Sequence, residues 1–236
     1  MIMSNFNFNN LTETSFVSSS VPHLKPFDIY EVNLTKIEKT TLKGKNDTEY
    51  PVVNVEFTGC GENKGIFNNN IFIPNKDEDF ERRTNQTSGQ MYASAFEQYQ
   101  YTLMQILQVI NPEGAKKIIA NASKIKTIDQ FTDLVIKGLT NKSDVKVFIK
   151  LVGRETNGSW YAALPNACVL AKGSTAESKP SPLNFISTTS DNLSFSNYEL
   201  NQMKKYKSAK PTDMNKIEKE EETSDNTELD LDDLEV

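Results

Sequence analysis

Aromatic and basic side chains alternate along short extended segments of this 236-residue chain. The clearest case is Lys146, Phe148 and Lys150, which recur at every second residue and therefore share one face of a strand. Single-stranded nucleic acid is bound by cations that follow its phosphates and by rings on which bases stack, each stack contributing roughly 1–3 kcal/mol. The spacing predicts a surface of this kind.

The candidate DNA-binding residues fall into two chemical classes. Those predicted to stack on bases are Tyr50, Phe72, Phe148 and Trp160. Tyr161 is a further candidate, but adjacent strand residues point to opposite faces, so at most one of Trp160 and Tyr161 is expected to stack. Those predicted to contact phosphates are Lys36, Lys43, Lys45, Lys64, Arg82, Arg83, Lys146, Lys150 and Arg154.

Each candidate has a competing explanation in ordinary structure. Aromatic residues in strands more often belong to the core, and the lysines of a loop are often only solvated. Phe57 and Phe67 share strand faces with aliphatic residues and are predicted to be core. The alternation around Phe148 is harder to reconcile with a core, because both of its same-face neighbours are lysines.

Residues that would indicate catalysis are scarce in the sequence. His23 is the only histidine, and Cys60 and Cys168 are too few for a zinc site or a disulfide framework. No glycine-rich phosphate loop or nucleophile elbow is present, and the aspartates between residues 225 and 233 lack the mid-loop glycine of a calcium-binding hand. We therefore predict a binding protein without enzymatic activity, metal or cofactor.

The charge of the chain is divided unequally along its length. Residues 211–236 contain eleven acidic residues and two lysines, so their net charge is −9, and the other 210 residues carry +3 of the total of −6. A segment of that composition buries too little apolar surface to offset its ordering entropy, which predicts a disordered tail. We therefore expect the mildly basic body and the acidic tail to bind partners of opposite charge. The simpler alternative is a tail that serves only to keep the protein soluble.

The periodicity of the body predicts five strands with helices between the third and the fourth. Alternation predicts strands over residues 26–39, 50–58, 66–74, 145–151 and 159–170, with a change of phase near Ile37 in the first. Spacings of three and four from Met91 to Ile110 predict a long helix, Asn111 and Pro112 begin a second, and Thr127 with Gln130 begins a third.

These elements predict an α+β protein, mainly β, built on a five-stranded Greek-key barrel of the oligonucleotide-binding (OB) type. A five-stranded sheet packed under helices in another topology is the alternative. We expect a flexible arm over residues 1–25, the OB-like domain over 26–172 with its helical insertion at about 88–140, a linker over 173–210 and the acidic tail over 211–236. Ser196 and Glu199 predict a short basic helix within that linker.

The central region and the acidic tail together resemble the phage-encoded single-stranded-DNA-binding proteins of tailed-phage replication modules. The segments that carry the resemblance are YPVVNVEF at 50–57, VFIKLVG at 147–153, WYAALP at 160–165 and the tail from Glu218. The resemblance as a whole covers about two thirds of the chain. The resemblance implies an OB-fold body that coats single-stranded DNA without strong sequence preference during replication and recombination, in the cytoplasm of an infected bacterial host.

The same resemblance implies a role for the tail. It would recruit replication proteins such as a polymerase or a helicase–primase and would compete with DNA for the basic groove. Tails of the family end on an aromatic residue that anchors in a pocket of the partner, whereas this one ends at Val236. The partner-binding residues would be Leu231, Asp232, Asp233, Leu234, Glu235 and Val236, with the two leucines and the valine as a weaker apolar anchor. The alternative is a tail that only mimics the charge of DNA. A homodimer is a further expectation. The alternative is a virion- or scaffold-associated interaction protein whose tail is a docking peptide, and neither function predicts a membrane span.

Overall fold

The computed structural model describes residues 22–44, 47–87, 89–165, 170, 178 and 184–209. The strands are β1 (Asp28–Lys43), β2 (Glu49–Gly59), β3 (Ile66–Phe72), β4 (Arg83–Thr84), β5 (Met91–Tyr92), β6 (Lys146–Thr156), β7 (Ser159–Ala163) and β8 (Ile186–Ser187). The helices are α1 (Ala95–Ile110), α2 (Pro112–Ala120), α3 (Ile128–Leu139) and α4 (Asn197–Ser208).

The main sheet is antiparallel and has the strand order β3-β2-β1-β6-β7, with β8 pairing to β6 as a sixth strand. Strand β1 is long because it pairs with two neighbours. Residues 28–33 pair with β6, and residues 32–43 pair with β2. The register with β2 shifts between Leu34 and Lys36, where Thr35 forms a bulge that moves the inward positions from even to odd residues. The predicted change of phase near Ile37 is confirmed.

Helices α1 and α3 cover one face of this sheet. Val53, Val55 and Phe57 of β2 are fully buried and belong to one core that also includes Leu103 and Val135. Phe57 and Phe67 are therefore core residues, as predicted. The inner face of the sheet is closed by helices, and the other face of β1–β3 is left outside the main core.

Local sequence signals define most of the helix ends. Ser94 accepts a hydrogen bond from the N–H of Glu97, whose side chain in turn accepts from the N–H of Ser94, and this capping box begins α1. The prediction that the helix includes Met91 was wrong, because Met91 instead pairs with Thr84 in a small second sheet. Asn111 caps α2 with Pro112 in its first turn, and Thr127 caps α3, both as predicted.

The predicted fold class is confirmed at the level of a mixed α+β protein with an antiparallel sheet and three helices between β3 and β6. The described residues do not close this sheet into a barrel, since β3 and β7 occupy opposite ends of the strand order. Helices α1 and α3 provide a physical reason, because they bury the inner face that closure would otherwise have to cover.

Part of the segment expected to be a linker packs on the body. Phe185 and Ile186 belong to the core, and Ile186 pairs with Ile149 of β6. The predicted short helix is confirmed as α4, and Ser196 and Glu199 form its capping box. Within the parts of the chain that the structure describes, no helix has the length and apolar character needed to cross a membrane.

Candidate nucleic-acid interface

The face of β1, β2 and β3 that points away from the helices is called the outer face here. Alternation along β2 assigns Tyr50, Val52, Asn54 and Glu56 to it, since Val53, Val55 and Phe57 point inward. The register adds residues from both neighbouring strands. Their cross-strand positions on the outer face are Lys36, Glu38, Thr40 and Leu42 in β1 and Ile66, Asn68, Asn70 and Phe72 in β3.

An aromatic pair lies at one end of the outer face. The rings of Tyr50 and Phe72 meet edge to face with their centroids 6.2 Å apart. Val52 lies directly opposite Phe72 in the register and is fully buried, so the pair also shields an apolar residue of the outer face. Phe72 nevertheless keeps 40% of its surface exposed, which leaves an apolar ring accessible for stacking.

The Tyr50 ring is held against the hairpin that connects β1 and β2. A Cβ atom at Gly44 would lie 2.6 Å from Cε2 of Tyr50, so the ring packs directly over the bare backbone of this glycine. Lys43 is exposed at the end of β1 beside the same hairpin. The aromatic pair and Lys43 therefore lie at the same end of the sheet, but alternation along β1 places Lys43 on the opposite face from Leu42, with Glu49 as its cross-strand neighbour.

The centre of the outer face carries both signs of charge. The Lys36 ammonium lies 2.7 Å from a carboxylate oxygen of Glu38, and this hydrogen bond raises the pKa of Lys36. Glu56 lies opposite Lys36 and accepts a hydrogen bond from the Thr35 hydroxyl at 2.9 Å. Lys36 is therefore partly neutralised, whereas Lys64 is an exposed cation in the loop between β2 and β3.

The predicted lysine-rich face of β6 is interrupted by helix α4. Lys146 is exposed, and its ammonium group lies 3.6 Å from a carboxylate oxygen of Glu31. Phe148 is half-buried, and it is paired with Glu31 of β1 on one side and with Ser187 of β8 on the other. Lys150 is buried, with its ammonium group 3.0 Å from Glu199 of α4. The expectation of an exposed Lys–Phe–Lys surface was wrong at Lys150, because α4 provides a buried carboxylate for it.

Trp160 and Tyr161 have opposite environments, as alternation requires. Trp160 is half-buried, with ring centroids 5.5 Å from Phe27 and 5.9 Å from Tyr206 of α4. Tyr161 keeps 53% of its surface exposed and lies directly opposite the exposed Arg154 in the β6–β7 register. Tyr161 is therefore the more accessible of the two rings, and the assignment of Trp160 to DNA binding stays a prediction.

The two arginines near β4 differ in their surroundings. Arg82 forms a bidentate ion pair with Glu97, with distances of 2.6 and 2.9 Å to its carboxylate oxygens, and it also donates to the carbonyl oxygen of Ser178. The Arg82 hydrogen bonds lower the pKa of Glu97 and raise that of Arg82. Arg83 is exposed on β4. Arg82 therefore connects the small sheet to the start of α1.

Other residues singled out from the sequence are placed as follows. His23 is exposed and pairs through its backbone with the start of β3. The Cys60 thiol donates a hydrogen bond to the Asn33 side-chain oxygen, and burial raises its pKa. The described residues contain no cluster of three or more side chains suited to hold a metal ion. Lys45, Cys168 and all six partner-binding tail residues lie outside the described residues.

No protein-family model matches the chain, and searches among curated proteins and solved structures found no significant match.

Proposed function

We propose that this protein binds single-stranded DNA without strong sequence preference and coats it during phage-type replication or recombination. The observation that carries the proposal is the Tyr50–Phe72 pair, which presents a 40% exposed ring on an open sheet face. Stacking on such a ring tolerates any base, because every base has a π-face. The role is one of binding, without catalysis.

The topology of the main sheet is compatible with the proposal. A partly open five-stranded Greek-key barrel binds oligonucleotides on the face of its second and third strands and through the loops that follow its first and fourth strands. The five long strands here have the order β3-β2-β1-β6-β7, with the helices inserted after the third. If β1, β2, β3, β6 and β7 are matched in that order to the five strands of such a barrel, the Tyr50–Phe72 pair lies on its second and third strands.

A second accessible ring supports a longer binding path. Tyr161 and Arg154 lie opposite each other on β6 and β7, and both are exposed. An exposed ring beside a guanidinium offers one base a stacking surface and one phosphate a cation. We include these two residues with Tyr50, Phe72 and Lys64 in the proposed site.

The charge distribution supports a role for the tail. The residues before position 211 carry a net charge of +3 and the tail carries −9, so the tail competes electrostatically with phosphates for the same cations. Removal of residues 211–236 is expected to raise the affinity for DNA, most strongly at low salt. The tail would also recruit replication proteins.

The proposal is tested by fluorescence anisotropy with labelled single- and double-stranded oligonucleotides at about 50 mM and about 200 mM salt. We expect preferential binding of single strands and an affinity that falls with salt. Phe72→Ala should weaken binding by roughly 5- to 150-fold, which corresponds to the loss of one stack at 1–3 kcal/mol. Phe80→Ala is the matched control, because Phe80 is 49% exposed but lies on the turn Asp77–Phe80, away from the outer face.

The outcome that would overturn the proposal is the absence of any anisotropy change with the tail-deleted protein at low salt. Copurification with virus particles in that case would favour the alternative, a virion- or scaffold-associated interaction protein. Equal effects of Phe72→Ala and Phe80→Ala would remove the aromatic pair from the site.

A further inference from the structure

One face of strand β6 carries a row of cations and rings that helix α4 interrupts. Val147, Ile149 and Leu151 point into the core, so alternation places the residues between and beside them on the face that points away from it. This β6 row consists of Lys146, Phe148, Lys150, Val152 and Arg154. Lys146 and Arg154 are exposed at its two ends, whereas Lys150 in the middle is buried.

A single segment, residues 194–208, buries Lys150 and is called the cover segment here. The Lys150 ammonium group lies 2.9 Å from the carbonyl oxygen of Ser194 and 3.0 Å from both carboxylate oxygens of Glu199. The centre of the Phe195 ring lies 5.6 Å from the same nitrogen. An anionic side chain of the protein therefore occupies the middle of a row that is otherwise suited to phosphates and bases.

The cover segment has few further attachments to the body. The structure describes every residue of α4, and among them only Glu199 is buried. Tyr206 makes the other ring contacts, with centroids 5.5 Å from Phe27 and 5.9 Å from Trp160. The helix is thus held mainly by one ion pair and one cluster of rings.

The ion pair can be exchanged at lower cost than it can be broken. Removal of one partner leaves a buried charge without a counter-ion, which is strongly unfavourable. When another anion replaces Glu199, Lys150 keeps a partner and the released carboxylate returns to water. The gain from solvating that carboxylate offsets much of the attraction that is given up.

We propose that single-stranded DNA displaces the cover segment and that one of its phosphates takes the place of the Glu199 carboxylate at Lys150. The inference rests on the proposed function and adds a form of regulation to its site. A phosphate offers Lys150 the same kind of charge-assisted hydrogen bond as the carboxylate. The exchange joins Lys146 and Phe148 at one end of the row to Arg154 at the other.

The docked helix is therefore autoinhibitory. It withholds Lys150 from DNA, and the apparent affinity falls with the fraction of molecules in which the row is open. Tyr161 extends the opened row onto β7, because it lies opposite Arg154 in the register.

Hydrogen exchange of the full chain, with and without saturating oligothymidylate, tests the displacement directly. DNA that only contacted α4 would slow the exchange of its amides. A displaced α4 should exchange faster, because an isolated helix of 12 residues is marginal in water. We expect faster exchange in α4 together with slower exchange in β6.

Two tyrosines of α4 provide a matched pair of variants that leave the net charge unchanged. Tyr206→Ala removes ring contacts that hold the helix on the body and should raise the affinity for oligothymidylate roughly 2- to 10-fold, the factor that one aromatic pair contributes to the closed state. Tyr198→Ala is the control, because Tyr198 is 72% exposed on the same helix and should leave the affinity unchanged.

The outcomes separate this inference from the proposed function. Binding of oligothymidylate with unchanged or slower exchange in α4 would overturn the displacement and leave DNA binding intact. An affinity of Tyr206→Ala no higher than that of Tyr198→Ala would do the same. Absence of binding by both the full chain and the tail-deleted protein would instead reject the proposed function, and the displacement with it.

Discussion

The Lys150 ammonium group lies 3.0 Å from both carboxylate oxygens of Glu199 and 2.9 Å from the carbonyl oxygen of Ser194. The two side chains are only 4% and 10% exposed. The Lys150 nitrogen also lies 5.6 Å from the centre of the Phe195 ring, a cation–π contact. Strand β6 and helix α4 are thus joined by a buried ion pair between residues that are 49 positions apart in the sequence.

Removal of one partner of this ion pair should be strongly destabilising. Lys150→Met leaves the Glu199 carboxylate buried without its cation, and such a loss costs about 3–5 kcal/mol. The expected result is a large decrease in the free energy of unfolding in urea. The double variant Lys150→Met/Glu199→Met should recover part of that loss, because neither charge then remains buried.

Lys146→Met is the control for this prediction. Lys146 lies on the same face of β6, but its 3.6 Å pair with Glu31 is largely exposed, and an exposed pair contributes about 0–1 kcal/mol. Equal effects of Lys146→Met and Lys150→Met would contradict the proposed role of the buried pair.

Gly153 should not tolerate a methyl group. A Cβ atom there would lie 2.2 Å from Cε2 of Phe27 and 2.8 Å from Cε3 of Trp160. Phe27 has little freedom to move, since it is buried and has a φ of 60°. We expect Gly153→Ala to cost about 1–3 kcal/mol of folding stability.

Tryptophan fluorescence provides a second measurement on Gly153→Ala, because Trp160 is the only tryptophan. Displacement of its ring from Phe27 and Tyr206 should shift the emission towards longer wavelengths. Unchanged stability together with an unchanged emission maximum would contradict the packing described for this glycine.

Trp160→Ala and Tyr161→Ala should affect different properties. Trp160 packs against Phe27 and Tyr206, so its removal should cost about 3–5 kcal/mol of folding stability. Tyr161 is 53% exposed, so its removal should leave the thermal midpoint nearly unchanged and weaken binding of single-stranded DNA. Thermal denaturation and anisotropy titration of both variants would distinguish the two roles. If Tyr161→Ala left the affinity for DNA unaltered, Tyr161 would be excluded from the proposed site.

The features predicted correctly depend on residues close together in the sequence. Asn111 with Pro112, Thr127 with Gln130, and Ser196 with Glu199 begin helices through bonds that extend only three residues. The inward alternation of β2 is equally local, since it needs only the pleat of one strand. These signals were sufficient for the order of the five longer strands and for the helices between β3 and β6, whereas the two-residue strands β4, β5 and β8 were not predicted.

The errors concern contacts between distant residues. Lys146 and Lys150 have the same local pattern, and only Glu199, which is brought onto β6 by α4, buries one and not the other. Trp160 and Tyr161 were known to point to opposite sides, but which side is covered depends on Tyr206 of that same helix. Helix α4 was predicted, with docking on the body as one of several possible roles, but its contacts on the sheet were not, because its packing partners lie far away in the sequence.

The Arg82–Glu97 pair should make folding stability depend on pH in the acid range. Hydrogen bonds from Arg82, with a further contribution from the backbone of Ser94, lower the pKa of Glu97 below its usual value of 4.5. A carboxylate whose pKa is lower in the folded state stabilises the fold above its unfolded pKa, and this contribution is lost as the pH falls through the folded pKa. Glu97→Gln should therefore reduce the loss of stability between about pH 6 and about pH 3, measured by urea denaturation. Glu62→Gln is the control, because it removes the same charge from an exposed loop. This variant should keep a pH dependence closer to that of the wild type. Equal effects of the two variants would contradict the role of Arg82.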